Sequence, residues 1–211
     1  MFAALRRLRA EIAQLAGAAN VKSVPTVEDM IATRVSLDGE PAFRLATLDA
    51  RRREAIRRSA SDAGLYSSSI VDGLFDLYVS TRLANTLIFP ETDTVLAALG
   101  ECFQLGVITN SNNDPAELGL SFQFSFVIRG DVEPYQKPDP RIFQLAASTG
   151  GYELGSSVHV GDLLETDVTG ANRAGAISVW LDRVGDVSVS AVSPHHTIRS
   201  LSELPGLLGI A

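Results

Sequence analysis

Apolar residues Phe2, Leu5, Leu8, Ile12 and Leu15 recur at three- and four-residue intervals, with Arg6, Arg7, Arg9 and Glu11 between them. This period puts the apolar set on one stripe and predicts an amphipathic helix over residues 1–20. From Gly17 to Pro41 the period is lost, and turn signals stand at Asn20 to Pro25 and at Asp38-Gly39-Glu40-Pro41, so no element is assigned there. Helical spacing returns at about Thr47 to Gly64 and again at Ser69 to Leu87, where Ile70, Leu74, Leu77, Tyr78, Leu83 and Leu87 can share a face. Residues 21–88 therefore read as a linker and a small helical region of the kind that caps a pocket.

From residue 89 the pattern changes. A helix start at Glu91-Thr92-Asp93 precedes the stripe Val95, Leu96 and Leu99. Short apolar runs follow at Leu105 to Thr109, within Phe122 to Ile128, at Ser157 to Val160 and at Ala176 to Leu181. Helical stretches near Pro115 to Leu118, Pro140 to Ser148 and Glu165 to Ala174 fall between these runs. The alternation predicts an α/β core over residues 89–211, with Val107-Ile108 and Val158 to Val160 as parallel strands of one sheet and helices on its faces. The valine- and serine-rich stretch from Val184 to Pro194 reads as irregular or as an edge, ahead of a short helix from Leu201 to Leu208.

Composition narrows the classes. With 211 residues and 45% hydrophobic content the chain can bury a sizeable core, as one domain or a domain with a small insertion. A net charge of -7 disfavours nucleic acid and anionic membrane as partners, while a local site can still hold a small phosphorylated molecule. No apolar run reaches the roughly 18 residues of a membrane span, and the chain is expected to be cytoplasmic. The single cysteine, Cys102, is expected as a buried helical thiol, which excludes a disulfide framework. Arg129-Gly130-Asp131 is taken as a chance tripeptide, and His159, His195 and His196 as structural or surface residues.

Three polar clusters stand where strands end, the position at which doubly wound sheets gather functional groups. Thr109-Asn110-Ser111-Asn112-Asn113-Asp114 can offer a hydroxyl and backbone N–H groups to phosphate oxygens, although such clusters also serve as caps and turns. In Gln136-Lys137-Pro138-Asp139-Pro140, the two prolines restrict the backbone at a helix start and fix Lys137, whose ammonium can neutralise a phosphoryl group or pair with carboxylates. In Gly161-Asp162 through Asp167, two carboxylates five residues apart suit a hard divalent cation, with magnesium favoured, although Asp167 also suits a helix first turn.

In this order the clusters resemble motifs two, three and four of the haloacid dehalogenase-like hydrolases, over about Phe89 to Leu208. The resemblance implies a Rossmann-like core with a small helical cap. It also implies that Thr109 and Asn110 hold the phosphoryl group, that Lys137 stabilises the nucleophile and its charge, that Asp162 binds magnesium and that Asp167 supports the site from the outer shell. The implied activity is that of a magnesium-dependent phosphomonoester phosphatase acting on a small phosphorylated metabolite, with haloacid dehalogenation as an alternative reaction.

The family's first motif, an Asp-x-Asp pair at the end of a central strand, is not recognisable here, since no Asp-x-Asp occurs. The nearest imitations, Asp38 and Asp49, are lone carboxylates, and Asp49 runs into Arg51-Arg52-Arg53. The central first strand is thus expected to be absent or replaced, the magnesium site weak or incomplete, and the 211-residue chain inactive. Either the chain starts inside a longer coding sequence, which is favoured because motifs two to four are intact, or it is a nonhydrolytic relative. The latter would be an interaction or regulatory protein, with self-association or a partner strand completing the sheet.

Overall fold

The computed structural model describes residues 2–18, 23–43, 46–111, 114–120, 122–185 and 192–210. They belong to two compact units, Met1–Leu87 and Ile88–Ala211.

The first unit is helical: α1 (Phe2–Ala18), α2 (Val27–Ser36), α3 (Leu48–Asp62) and α4 (Ser68–Ala84). The buried stripe of α1 is Ala4, Leu8, Ile12 and Ala16, at steps of four, and it packs with Met30, Ile56, Ala60, Leu74, Phe75 and Tyr78. This face is rotated from the expected one. Phe2 is 56% exposed, while Ala4 and Ala16 are buried, because alanines on the inner face let neighbouring helices approach closely yet hardly register in a hydrophobic pattern.

Helix α2 lies where the sequence pattern assigned nothing. It begins with a capping box, in which Thr26 Oγ1 accepts the Asp29 N–H at 3.1 Å and Asp29 Oδ2 accepts the Thr26 N–H at 2.9 Å. Met30 alone is buried on this helix, which explains its weak apolar period. Asp38 is held by Arg34 Nη1 at 2.8 and 2.9 Å, and Asp49, in the first turn of α3, lies 3.1 Å from Arg52 Nη1. Both imitations of a nucleophile are thus engaged by arginines of the helical unit.

The second unit runs α5 (Thr92–Gly100), β1 (Gly106–Thr109), β2 (Phe126–Arg129), α6 (Pro140–Gly150), β3 (Val158–Gly161), α7 (Thr169–Ala174), β4 (Ile177–Leu181), β5 (His196–Ile198) and α8 (Leu204–Leu207). All paired strands are parallel: Ile108 stands opposite Ile128, Val160 opposite Val179 and Trp180 opposite Thr197. The α/β class is as expected. The single continuous sheet is not, because the described strands form a pair, β1-β2, and a trio, β3-β4-β5. A cavity of ≈ 490 Å³ is walled in part by Val107 and Ile108 of β1 and by Val158 and Val160 of β3.

Helices α6 and α7 bring Ile142, Phe143, Ala146 and Ala171 to one core with Ile128, while α5 and α8 bring Val95, Leu99 and Leu204 to another with Val179 and Ile198. Helix α6 starts at Pro140 after Asp139, whose Oδ1 accepts the Arg141 N–H at 2.9 Å, and it ends at Gly151, where φ is 69°. The Arg141 guanidinium and backbone N–H hold the Asp139 carboxyl down to about 2.

Three expectations need correction. Cys102 is exposed rather than buried, because α5 stops at Gly100 and the thiol falls in the following turn. The expected helix at Pro115 to Leu118 is a 3-10 turn that ends at Gly119 in the left-handed region. Strand β5 was not anticipated: it is three residues long with Ile198 as its one buried position, too short to show a period. The Val184 to Pro194 stretch lies largely outside the described residues, as do Asn112 and Asn113 of the first polar cluster.

The exposure difference on α1 gives a direct test. Leu8→Ala should destabilise the helical unit by about 2–5 kcal/mol, and Phe2→Ala should change stability by no more than about 0.5 kcal/mol, in chemical denaturation followed by circular dichroism. Equal effects of the two substitutions would show that the buried face of α1 has been misassigned.

Candidate active site

The polar clusters meet at the carboxyl ends of β1 and β3. Thr109 closes β1, and its Oγ1 accepts the Ser111 N–H at 3.0 Å, which directs the chain into the following loop and leaves the hydroxyl proton to donate. Asn110 comes next. Its Oδ1 accepts the Lys137 N–H and its Nδ2 donates to the Lys137 carbonyl, each at 2.8 Å, so one side chain holds the peptide groups on both sides of the lysine. The side chain of Asn110, expected at the phosphate, is therefore engaged in holding Lys137. The Lys137–Pro138 peptide is cis.

Lys137 Nζ donates to the Ile108 carbonyl at 2.8 Å and lies 2.7 Å from Asp167 Oδ1. Asp167 Oδ2 accepts the Leu163 N–H at 3.0 Å, and His159 Nε2 is 3.4 Å from Oδ1. A carboxylate accepts only, so the neutral imidazole presents its Nε2 proton toward Asp167. The His159 ring packs edge-on against Phe143, with centroids 5.0 Å apart. Sequence reading set His159 aside as a structural or surface residue. Its signal was its position two residues before Gly161, at the end of the strand that leads into the carboxylate loop.

Burial works against ionisation of Asp167, but the His159 hydrogen bond, the Lys137 charge and the Leu163 N–H together hold its carboxyl well below the ordinary value. The shorter contact, at 2.7 Å, is the lysine's. Burial pushes the His159 imidazole down and the Lys137 charge adds to that, against the opposing pull of Asp167.

Asp167 sits in a π-helical turn, Leu164–Val168, which leads into α7. A Cβ on Gly161 would collide with the Asp167 carboxyl, so only glycine at the end of β3 lets the carboxylate fold back against the strand. Asp162 points the other way. Its side chain is exposed, while its carbonyl accepts Trp180 Nε1–H at 3.1 Å. Asp162, Gly161, Trp180, Asp182 and Arg183 line an open cleft at the ends of β3 and β4.

As a magnesium site this donor set is incomplete. Asp162 offers one exposed carboxylate, both Asp167 oxygens are engaged, and among the described residues no group of three His, Cys, Asp or Glu side chains stands together.

The residues set aside hold structural contacts. Arg129 pairs with buried Asp131 through two hydrogen bonds of 3.0 and 2.7 Å, which closes the Arg129-Gly130-Asp131 tripeptide on itself. His195 Nδ1 accepts the Ser178 N–H at 3.1 Å. Among the described residues no helix is long and apolar enough to cross a membrane.

The buried pair sets a pH dependence. A depressed folded-state carboxyl contributes stability that is present above the unfolded value, about 3.9, and lost as pH falls through the lower folded value. His159, held neutral, adds an earlier decline that begins near its unfolded value of about 6.5. Asp167→Asn should cost about 3–5 kcal/mol at neutral pH, because it leaves Lys137 buried without its counter-charge, and should flatten the loss of stability below about pH 4. Denaturation midpoints from pH 7 down to pH 2 measure both effects. An unchanged acid limb in the variant would mean that the pair does not control it.

A family model described as haloacid dehalogenase-like hydrolase matches residues 3–175. The chain is 30% identical over 162 residues to N-acylneuraminate-9-phosphatase of Homo sapiens, a match covering 74% of this chain and 64% of the relative. It is 31% identical to 5-amino-6-(5-phospho-D-ribitylamino)uracil phosphatase YigB of Escherichia coli, covering 74% of this chain and 68% of the relative. The match thus spans less than two thirds of the N-acylneuraminate-9-phosphatases. Among solved structures, 2-haloacid dehalogenase from Pseudomonas syringae superposes with a TM-score of 0.78 at 32% identity, over 98% of this chain and 91% of the other. A HAD phosphatase from Thermococcus onnurineus superposes with a TM-score of 0.58 at 27% identity, over 85% and 88%. Strand ends that gather a threonine, a buried lysine–aspartate pair and an exposed aspartate thus stand in a chain that belongs to the haloacid dehalogenase-like hydrolases.

Proposed function

We propose that the α/β unit holds the phosphoryl group of a small phosphorylated metabolite and derives from a phosphomonoester hydrolase. The observation that carries this reading is Lys137, an ammonium fixed beside the end of β1 by the Ile108 carbonyl and by Asp167, one residue from the Thr109 hydroxyl. Lys137 has three N–H donors, and these two contacts leave one for an anion. The Thr109 hydroxyl proton supplies a second donor. Two relatives of about 30% identity are named phosphatases, which supports the same substrate class.

In this reading Asp167 is a positioning residue that acts through Lys137, and Asp162 gives a weak preference for magnesium. Covalent phosphoryl transfer further needs a nucleophile in line with the leaving group. Asp38 and Asp49 are each engaged by arginine. The chain as it stands should therefore gather phosphate without turning it over. A second reading, dehalogenation of a small haloacid, is favoured by the similarity to the Pseudomonas syringae enzyme.

Four measurements on the 211-residue chain separate these readings. Orthophosphate binding followed by calorimetry should weaken about tenfold in Thr109→Val, the loss expected for one hydrogen bond to a charged group. Failure of that substitution to weaken binding would remove Thr109 from the phosphate site. An aryl phosphate and a panel of sugar and nucleotide monophosphates, with magnesium or chelator, should show no appreciable turnover, while weak magnesium binding should vanish in Asp162→Asn. Magnesium-dependent turnover lost in Asp38→Asn or Asp49→Asn would reveal a nucleophile in the helical unit and overturn the inactivity. Metal-independent chloride release from 2-chloropropionate would establish the second reading.

A further inference from the structure

The Asp167 carboxylate meets three donors with two oxygens. Oδ2 accepts the Leu163 N–H at 3.0 Å, and Oδ1 takes both Lys137 Nζ at 2.7 Å and His159 Nε2 at 3.4 Å. A carboxylate held at one oxygen can still pivot, because the torsion that turns its plane is broad. Lys137 does little to stop that pivot, since a flexible four-carbon stem lets its ammonium follow Oδ1. His159 is the stiff donor on this oxygen. It stands on β3 with its side chain 14% exposed, and its ring meets Phe143 edge-on, at 81° with centroids 5.0 Å apart. Phe143 is itself closed in. A Cβ on Gly170 would collide with the Phe143 ring and stand 3.1 Å from Pro138 Cα, so α7 comes as near to α6 and to the neighbour of Lys137 as a bare glycine allows.

We infer that His159 is a positioning residue for the anion site proposed at Lys137: its Nε2–H, braced by the Phe143 edge, fixes the plane of the Asp167 carboxylate and so aims the lysine ammonium. This deepens the phosphate reading and rests on it. The chemistry of the position calls for an imidazole. A lysine or arginine here would bring a second cation to Oδ1 and compete with Lys137 for it, and a carboxylate would bring no proton. A neutral ring with one N–H supplies direction without charge, and burial, which pushes the imidazole down, keeps it neutral. At 3.4 Å the bond is long, so it acts on orientation more than on stability. Without it the carboxylate turns about its Leu163 contact and carries Oδ1 away from Lys137. The ammonium donor left for an anion then has no fixed direction.

The test sets two substitutions in the full chain against each other. His159→Phe keeps a flat ring against Phe143 and removes the N–H, whereas His159→Gln keeps a neutral N–H and gives up the ring. Packing alone ranks the phenylalanine variant above the glutamine variant, and the positioning role ranks anion binding the other way. Orthophosphate affinity, measured by calorimetry, should fall about tenfold in His159→Phe. His159→Gln should recover most of that loss while being the less stable of the two in chemical denaturation. A second readout needs no anion. Lys22 and Lys137 are the two lysines of the chain, so in Lys22→Arg protein with isotopically labelled lysine the one ammonium resonance belongs to Lys137. That resonance should be protected from exchange with His159 or its glutamine replacement, and lost to exchange with His159→Phe. A protected signal or full affinity in His159→Phe would overturn the inference, as would a His159→Gln variant impaired as severely as His159→Phe. Should either variant unfold, Phe143→Leu, which removes the brace, should show the same two losses, and its retention of either property would overturn the inference. Absence of orthophosphate binding in the unaltered chain would sink the phosphate reading by itself, and the Lys137 resonance would still decide whether His159 positions the ammonium.

Discussion

One buried ion pair joins the two halves of the α/β unit. Lys137 reaches the Ile108 carbonyl of the β1-β2 pair, and its partner Asp167 is fixed by the Leu163 N–H and by His159 from the β3 side. No hydrogen-bonded ladder links β1 to β3 among the described residues, so the pair carries a connection that backbone usually carries. Burying two charges costs solvation, and the cost is offset only where the remaining donors and acceptors are also matched. Here most are matched: the lysine meets a carbonyl and keeps one N–H in reserve, and the carboxylate meets a backbone N–H and an imidazole.

Much of the local sequence serves to place that pair. Asn110 holds the N–H and the carbonyl of Lys137 with two hydrogen bonds, and Asp139 with Pro140 starts α6 shortly beyond it, so the backbone on either side of Lys137 is held. On the other partner, Gly161 leaves the room that the Asp167 carboxyl occupies, and the π-helical turn aims it back toward β3. A wider helical turn at a functional position is a recurrent device for re-aiming a side chain. Asp162, ahead of that turn, is exposed, so two carboxylates five residues apart stand in opposite surroundings.

The fold class was legible because the short apolar runs at Leu105 to Thr109 and Ala176 to Leu181 alternate with helical periods, which is a property of local sequence. Thr109, Lys137, Asp162 and Asp167 stood out because strand ends, prolines and a glycine surround them. What stayed hidden depends on contacts distant in sequence. Asn110 acts on a residue 27 positions away, and His159 gains its meaning from Asp167 and Phe143. Helix α2 escaped because a capping box with Asp29 in its third position starts it and one methionine is all it buries. The gap in the sheet was expected only from the unrecognisable first motif, because strand periodicity tells which faces are apolar and carries no information on which edges meet.

The β1 edge and the proposed phosphate site draw on the same lysine. An ammonium offers three donors, and in the present arrangement one is occupied by a backbone carbonyl that belongs to a sheet edge. A backbone N–H is the natural partner of that carbonyl. Whatever supplies one relieves the lysine of an edge-capping task and increases its capacity to hold negative charge at the strand ends.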